Sequence, residues 1–343
     1  MPRIGRLHIP GGCYHVMGRG LERRCIFMTE ADKQDFIDRL ETGLSETGTQ
    51  CLAWAMMSNH YHLLLRAAIT SLSDLMHKLL GGYATSYNRR HKRVGYVFQN
   101  RYKSVLCDED AYLLELVSYI HLNPVRAKIV ESLSALDRYL WTGHSVLMGN
   151  HPLKWQQTGT VLVHFGQQVI PARRGYRQFM AQSLSKTPGV NYGGGGLIRS
   201  YGGWQNLDQA RKEHERKIGD ERILGDSKFV EQVLKQDRLR IEIQTQLIRE
   251  GWNLENLIVA VCAFFQVDPA HVTYKARYDA LSAAKSVICY FGTRSLPLSS
   301  TDVGLRLNMG QSAVSMSSKR GRKYCHEQRL ALNDLTKCLP LSD

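Results

Sequence analysis

The amino-acid sequence predicts an α+β fold, a split βαβ antiparallel sheet followed by an all-α region. Three observations carry that expectation. Alternating segments and helical stripes follow the order β-α-β-β-α-β-α over residues 1–130. The first six of these elements form the split βαβ pattern termed ferredoxin-like, with helices on one face of the sheet and the other face open. Beyond the glycine run Gly193-Gly194-Gly195-Gly196, the apolar spacing from about residue 227 onward is helical.

Each element has a local reason. Residues 13–19 alternate as a strand. Thr29 suits an N-cap, with Glu30 and Asp32 in the first turn and Phe36, Ile37, Leu40 and Leu44 at helical spacing. Residues 51–66 read as a β-hairpin, and residues 71–91 as a helix with Leu72, Leu75, Met76, Leu79 and Leu80 on one stripe. A strand is expected over 94–105, then a helix from near Glu109 that Pro124 stops at about Asn123. Residues 128–190 suggest short helices and loops, with a turn at Pro171-Ala172-Arg173-Arg174. Further helices are expected at roughly 227–250, 253–266 and 277–292. A short helix, a tight turn at Asn308-Met309-Gly310 and a second helix ending in Lys319-Arg320-Gly321-Arg322-Lys323 then make a helix-turn-helix. The division this implies is 1–130 for the α+β domain, 131–190 for a helical extension, 191–226 for a flexible linker and 227–343 for a helical domain.

Composition narrows the function. With 343 residues, 43% apolar and 22% charged, the chain is an ordinary globular protein long enough for two or three domains. A net charge of +14 and a pI of about 9.4 point to a polyanionic partner such as nucleic acid, although a basic surface alone does not require one. The eight cysteines are scattered with no Cys-x-x-Cys pair, which argues against a zinc ribbon or a thioredoxin-like motif and suits a reducing cytoplasm. No apolar run resembles a signal peptide or approaches the roughly 18 residues of a membrane span.

The chemistry-bearing residues lie in three groups. His60 and His62 are two apart on a strand, so they share a face, while Tyr61, Leu63 and Leu65 point to the other. Two imidazoles side by side form half of a metal site, or simply a pair of surface histidines. Tyr119 and Asn123 are four apart on the helix before Pro124, so they too share a face. A tyrosine hydroxyl titrates near 10 and needs help as a nucleophile, which a divalent metal on the phosphate supplies; a packing role is the alternative. Residues 83–103 hold Arg89, Arg90, Lys92, Arg93, Arg101 and Lys103 with no acid, interleaved with Tyr83, Tyr87, Tyr96, Phe98 and Tyr102. Cations that follow a backbone and aromatics that stack on bases suit single-stranded nucleic acid.

These residues resemble a known family. His60-Tyr61-His62 is similar to the histidine–hydrophobe–histidine motif of HUH single-strand nucleases. Tyr119-Ile120-His121-Leu122-Asn123-Pro124-Val125-Arg126-Ala127 resembles the nucleophile helix of single-tyrosine transposases, above all the REP-associated tyrosine transposases and their insertion-sequence (IS200-like) relatives. The resemblance implies that His60 and His62 bind a metal, that Asn123 is its third ligand, and that Tyr119 takes a 5′-phosphate. It implies Mg²⁺ or Mn²⁺ as the cofactor. His15 and His121 are the candidates to support these ligands from behind. His15, on the first strand, could face the site, although a core or supporting histidine is the commoner reading, and His121 points the other way around its helix. From Asn253 to Tyr324 the chain resembles the DNA-binding domain of the replication initiator DnaA, with Gln311, Ser312, Ser315, Lys319, Arg320, Arg322 and Lys323 as the residues expected at DNA.

The expected activity is cleavage and rejoining of hairpin-forming, REP-like single-stranded DNA through a 5′-phosphotyrosine, in a cytoplasmic, nucleoid-associated protein that is either a monomer or a homodimer. Duplex DNA is a second expected partner, through the C-terminal domain. The rival readings are a replication-initiation or relaxase-type nickase and a catalytically silent DNA-binding regulator.

Overall fold

The computed structural model describes residues 6–68, 72–185, 219–275, 279–296 and 298–338. Two compact units emerge, Met1–Asp237 and Arg238–Asp343. The first is built on a sheet of β1 (Cys13–Arg19), β2 (Gln50–Met56), β3 (His60–Arg66), β4 (Lys103–Cys107) and β5 (Ile223–Leu224) in the order β2-β3-β1-β4-β5. The first four strands pair antiparallel, as the split βαβ pattern requires, and β5 adds parallel to β4. The sheet is therefore mixed. Most of the linker expected over 191–226, including its glycine run, lies outside the described residues, but its end supplies β5 rather than a loop.

One face of the sheet packs on α1 (Glu30–Thr47) and α2 (Leu72–Arg90). Tyr14, Val16, Tyr61, Leu63 and Leu65 interlock there with Phe36, Leu40, Leu75 and Tyr83. The expectation that the opposite face is open holds only at one end. Elsewhere α3 (Glu109–His121) lies across it, with Ala53, Ala55, Leu64 and Val105 under Leu113, Leu116, Val117 and Ile120. Behind α3 come α4 (Asn123–Arg126), α5 (Leu133–Leu136), α6 (Gly143–Met148), α7 (Thr158–Leu162) and α8 (Val169–Ser185). Leu64 is buried among apolar residues because it faces this second layer, whereas His60 and His62, on the same face, sit where the layer stops.

Local chemistry sets the boundaries. The Thr29 side chain accepts from the Asp32 N–H, and Asp32 accepts from the Thr29 and Met28 N–H groups, a capping box that starts α1. Gly48, at φ +72°, ends it in the left-handed conformation. Leu122 caps α3, one residue before the position expected from Pro124. Pro171 does not make a turn. It lies in the first turn of α8, where a residue without an N–H costs nothing. The strand expected over 94–105 begins only at Lys103. Residues 92–102 are a loop whose carbonyl at Val97 accepts from the Leu21 N–H and whose Gln99 N–H donates to the Arg19 carbonyl.

The second unit is helical around Leu257, Val261, Val287, Ile288, Val303 and Val314. α9 (Ser227–Arg249), which contains the boundary between the units, is followed by α10 (Leu254–Phe264), α11 (Ala280–Arg294), α12 (Ser300–Arg306) and α13 (Gln311–Gln328). The turn between α12 and α13 places Asn308 at φ +52°. α13 runs past the basic cluster, so Lys319–Lys323 lies within the helix and not at its end. Gly321 lets α11 approach, because a Cβ there would strike the Ser286 carbonyl. Lys285 is buried and donates to the carbonyls of Tyr274 (2.9 Å) and Leu307 (3.2 Å), which ties the turn to the core. Among the described residues no helix is long and apolar enough to cross a membrane.

Asp32 is the polar anchor between α1 and α2. Its carboxylate is fully buried and accepts from Arg90 (2.5 Å) and His91 (2.9 Å). Burial opposes its charge, but the hydrogen bonds from His91, the Thr29 backbone and Arg90 outweigh burial and hold the carboxyl below its ordinary value. A depressed carboxyl contributes stability that is complete above the unfolded-state value of roughly 3.9 and is lost as pH falls through the folded value. Asp32→Asn is expected to cost about 3 kcal/mol in urea unfolding at neutral pH. It should also flatten the acid limb of stability below about pH 4, as measured by circular dichroism.

Candidate active site

The sheet register assembles the site. His62 pairs with Met17 and His60 with Arg19, while His15 pairs with Leu64. Partners across antiparallel strands share a face, so His15, Met17, Arg19, His60 and His62 crowd one end of it. α3 brings Tyr119 over this end: its ring lies 5.7 Å from that of His62 and 5.8 Å from that of His15, edge-on to both. The rings of His60 and His62 are 5.1 Å apart. Tyr119 and Asn123 open onto the same cleft of about 310 Å³ as His60 and His62, and Arg19, Gln99, Asn100, Arg101 and Lys103 complete its wall. The wall carries three cations and no acid, which suits an anionic substrate.

Hydrogen bonds orient the polar groups of the cleft. His60 Nδ1 lies 2.7 Å from Asn59 Oδ1; an amide oxygen only accepts, so Nδ1 carries the proton and Nε2 keeps a lone pair. His62 Nδ1 lies 2.9 Å from His15 Nε2, so His15 stands directly behind His62. Burial, reinforced by Arg19, lowers the His60 pKa to about 4. Burial and the neighbouring His15 and His60 push His62 well below its ordinary value. Both imidazoles are therefore neutral at physiological pH, the form that binds metal. Asn123 Nδ2 donates to the Tyr119 carbonyl at 2.8 Å, which identifies the nitrogen and leaves Oδ1 as the acceptor.

Among the described residues no three His, Cys, Asp or Glu side chains come together to hold an ion. Two neutral imidazoles and an amide oxygen are nevertheless donors that suit a divalent cation such as Mn²⁺. Burial raises the Tyr119 hydroxyl above its ordinary value, against the pull of Arg126 and Arg19. Tyr119 is thus a neutral phenol at rest, and the cationic wall favours the negative charge that would develop on attack.

Residues 10–123 match the family model described as Transposase IS200 like. By that match this segment is similar to an IS200-like transposase domain. Among solved structures the chain is similar to a REP-associated tyrosine transposase bound to a REP hairpin, with 17% identity, 45% of this chain and 91% of that one covered, and a TM-score of 0.37. It is also similar to a candidate transposase from Deinococcus radiodurans, with 18% identity, 34% and 94% covered, and a TM-score of 0.25. No curated protein matches.

Other residues expected at DNA fall differently around the first unit. Arg101 and Lys103 line the cleft. Arg89 and Lys92 are exposed beyond it. Arg90 is committed to Asp32 and Asp35, and the Arg93 guanidinium lies 5.6 Å from the Tyr87 ring centre. Tyr102 is not a stacking platform: it is buried, with Arg6 4.0 Å over its ring and its hydroxyl on Ser73. Tyr83 and Tyr87 are buried in the core, with the Tyr83 ring 6.1 Å from that of Phe98 in the 92–102 loop. Among the aromatics of residues 83–103 only Tyr96, 84% exposed beside Val94 at 97%, offers an open face. Its loop is held by Asn88 Nδ2 donating to the Gly95 carbonyl.

His121 does not reach the cleft. It is buried on the far side of α3, with Nδ1 on the Tyr176 hydroxyl. In the helical unit Gln311, Ser312, Arg320, Arg322 and Lys323 are exposed on α13, while Ser315 and Lys319 are half-buried. The sequence reading missed Arg19, Gln99 and Asn100. Arg19 had a signal, since His15, Met17 and Arg19 alternate on one strand. The other two lie in a loop and had none.

Tyr96→Ala should weaken binding of a single-stranded oligonucleotide by about tenfold, since stacking on one base contributes roughly 1–3 kcal/mol. Tyr96→Phe should bind as wild type in the same fluorescence-anisotropy titration.

Proposed function

We propose that the protein cleaves and rejoins hairpin-forming single-stranded DNA by transesterification at Tyr119. The observation that carries this reading is the convergence of Tyr119 from α3 and Asn123 from the start of α4 with His60 and His62 from β3 in one basic cleft. The Tyr119 oxygen attacks a phosphodiester phosphorus; the bond to the 3′-oxygen breaks, and that oxygen leaves as a 3′-OH carrying the proton. The product is a 5′-phosphotyrosine, and attack by another 3′-OH reverses the step. Bond number is conserved, so no energy source is consumed.

Arg19, Arg101 and Lys103 hold the phosphate against Tyr119 and offset its charge. His60, His62 and Asn123 are the residues that would hold a divalent ion, with His15 fixing the orientation of His62. Such an ion, when bound, polarises the phosphate for attack by a poor nucleophile. The exposed Tyr96 and Val94 lie beside the basic residues Lys92 and Arg93 and suit an unpaired base. Hairpin substrates are proposed from the sequence resemblance, and the similar solved structure is itself bound to a REP hairpin. For the second unit, duplex DNA is the proposed ligand, met by the exposed Gln311, Ser312, Arg320, Arg322 and Lys323 of α13.

Incubation with an end-labelled panel of palindromic hairpins and Mn²⁺ should yield an adduct that survives SDS. Tyr119→Phe should abolish it; persistence of the adduct in that variant rejects Tyr119 as nucleophile. EDTA should lower adduct yield by at least about a hundredfold, and added Mn²⁺ should restore it in wild type but not in His60→Ala/His62→Ala.

A further inference from the structure

The transposase family match ends at residue 123, yet the last turn of α3 is gripped by residues well beyond it. His121 Nδ1 lies 2.8 Å from the Tyr176 hydroxyl on α8. That hydroxyl lies 2.9 Å from Nδ1 of His144 on α6, and His144 Nε2 lies 2.8 Å from Asp137 Oδ1. Arg177 donates to the other Asp137 oxygen at 2.8 Å. His121, His144 and Tyr176 are all fully buried.

The donors in this chain run one way. A carboxylate only accepts, so His144 carries its proton on Nε2. Burial disfavours a second proton on His144, so its Nδ1 accepts from the Tyr176 O–H. The Tyr176 oxygen then accepts from His121 Nδ1–H. His121 Nε2 is left a bare acceptor toward Gly143, where an added Cβ would come within 2.8 Å of it. Every hydrogen-bonding hydrogen in the chain is used, and the orientation of each ring is fixed.

His121 is two residues from both Tyr119 and Asn123: Tyr119 lies about 200° around α3 from it, and Asn123 opens α4 just past the Leu122 cap. A grip on its imidazole therefore sets the rotation of the turn that presents the two cleft residues. We propose that the Asp137–His144–Tyr176–His121 chain is a positioning device that aims Tyr119 into the cleft, and that this is a task of the extension beyond the family domain. The proposal rests on Tyr119 being the nucleophile. A second tie, from Arg126 to the Ser183 carbonyl of α8 at 3.4 Å, acts on the same segment.

The test separates aim from folding. Tyr176→Phe keeps the ring and removes the bridge; His121→Leu removes the donor; His121→Asn keeps an N–H where Nδ1 stood. Single-turnover adduct formation should slow by about tenfold or more in the first two, with hairpin affinity unchanged, and His121→Asn should recover most of the rate. Fluorotyrosine placed at Tyr119 should give one sharp fluorine resonance in wild type and His121→Asn, and a broadened or split one in Tyr176→Phe. A wild-type rate and an unchanged resonance in Tyr176→Phe, even with a lowered Tm, overturn the proposal. So does a rate that falls only in step with affinity. Should wild type form no adduct at all, the nucleophile reading fails by itself, and the fluorine line still decides the positioning claim: broadening upholds it and an unchanged line rejects it.

Discussion

The pairing of β1 with β3 decides which side chains can meet at the cleft. Side chains alternate along both strands, so the register that sets His62 against Met17 and His60 against Arg19 also sends Tyr61, Leu63 and Leu65 into the other layer. A slip of one residue would bury the imidazoles and expose the leucines. The apolar layer under α1 and α2 therefore holds the histidines in place: the same strand serves the core on one face and the cleft on the other.

Where the second helical layer ends is equally consequential. α3 covers Leu64, Ala53 and Val105 and then stops at His121, leaving the start of β3 uncovered beneath Tyr119. The cleft is thus a boundary between a packed region and solvent. Its imidazoles are buried enough to stay neutral, and its wall is open enough to present Arg101 and Lys103. Neutral imidazoles inside a cationic rim fit a polyanion, because phosphate charge meets cations without competing carboxylates. The helices behind α3 add a different constraint, since they fix the far side of the helix whose near side faces the cleft.

Much of this was legible because the signals are local. The two-residue spacing of His60 and His62 and the four-residue spacing of Tyr119 and Asn123 each state a shared face without reference to the rest of the chain. Thr29, Pro124 and the alternation of residues 13–19 act over a few residues and gave their boundaries within one or two positions. The aromatics of residues 83–103 misled for a physical reason: basic and aromatic residues interleave in a DNA-binding surface and also where a helix packs on a loop, and Tyr83, Tyr87 and Tyr102 belong to the second case. β5 has two residues, too few to show a period. The bond between His121 and Tyr176 joins residues 55 apart in sequence, and only the fold brings them together.

The central claim is that one side chain, Tyr119, becomes covalently joined to DNA. The most direct measurement is peptide mapping of the trapped adduct: digest the protein–oligonucleotide species with protease and nuclease and locate the residual nucleotide by tandem mass spectrometry. The account predicts a single modified peptide, with a 5′-linked nucleotide on Tyr119. A nucleotide on any other residue, or a 3′-linked one on Tyr119, would contradict it.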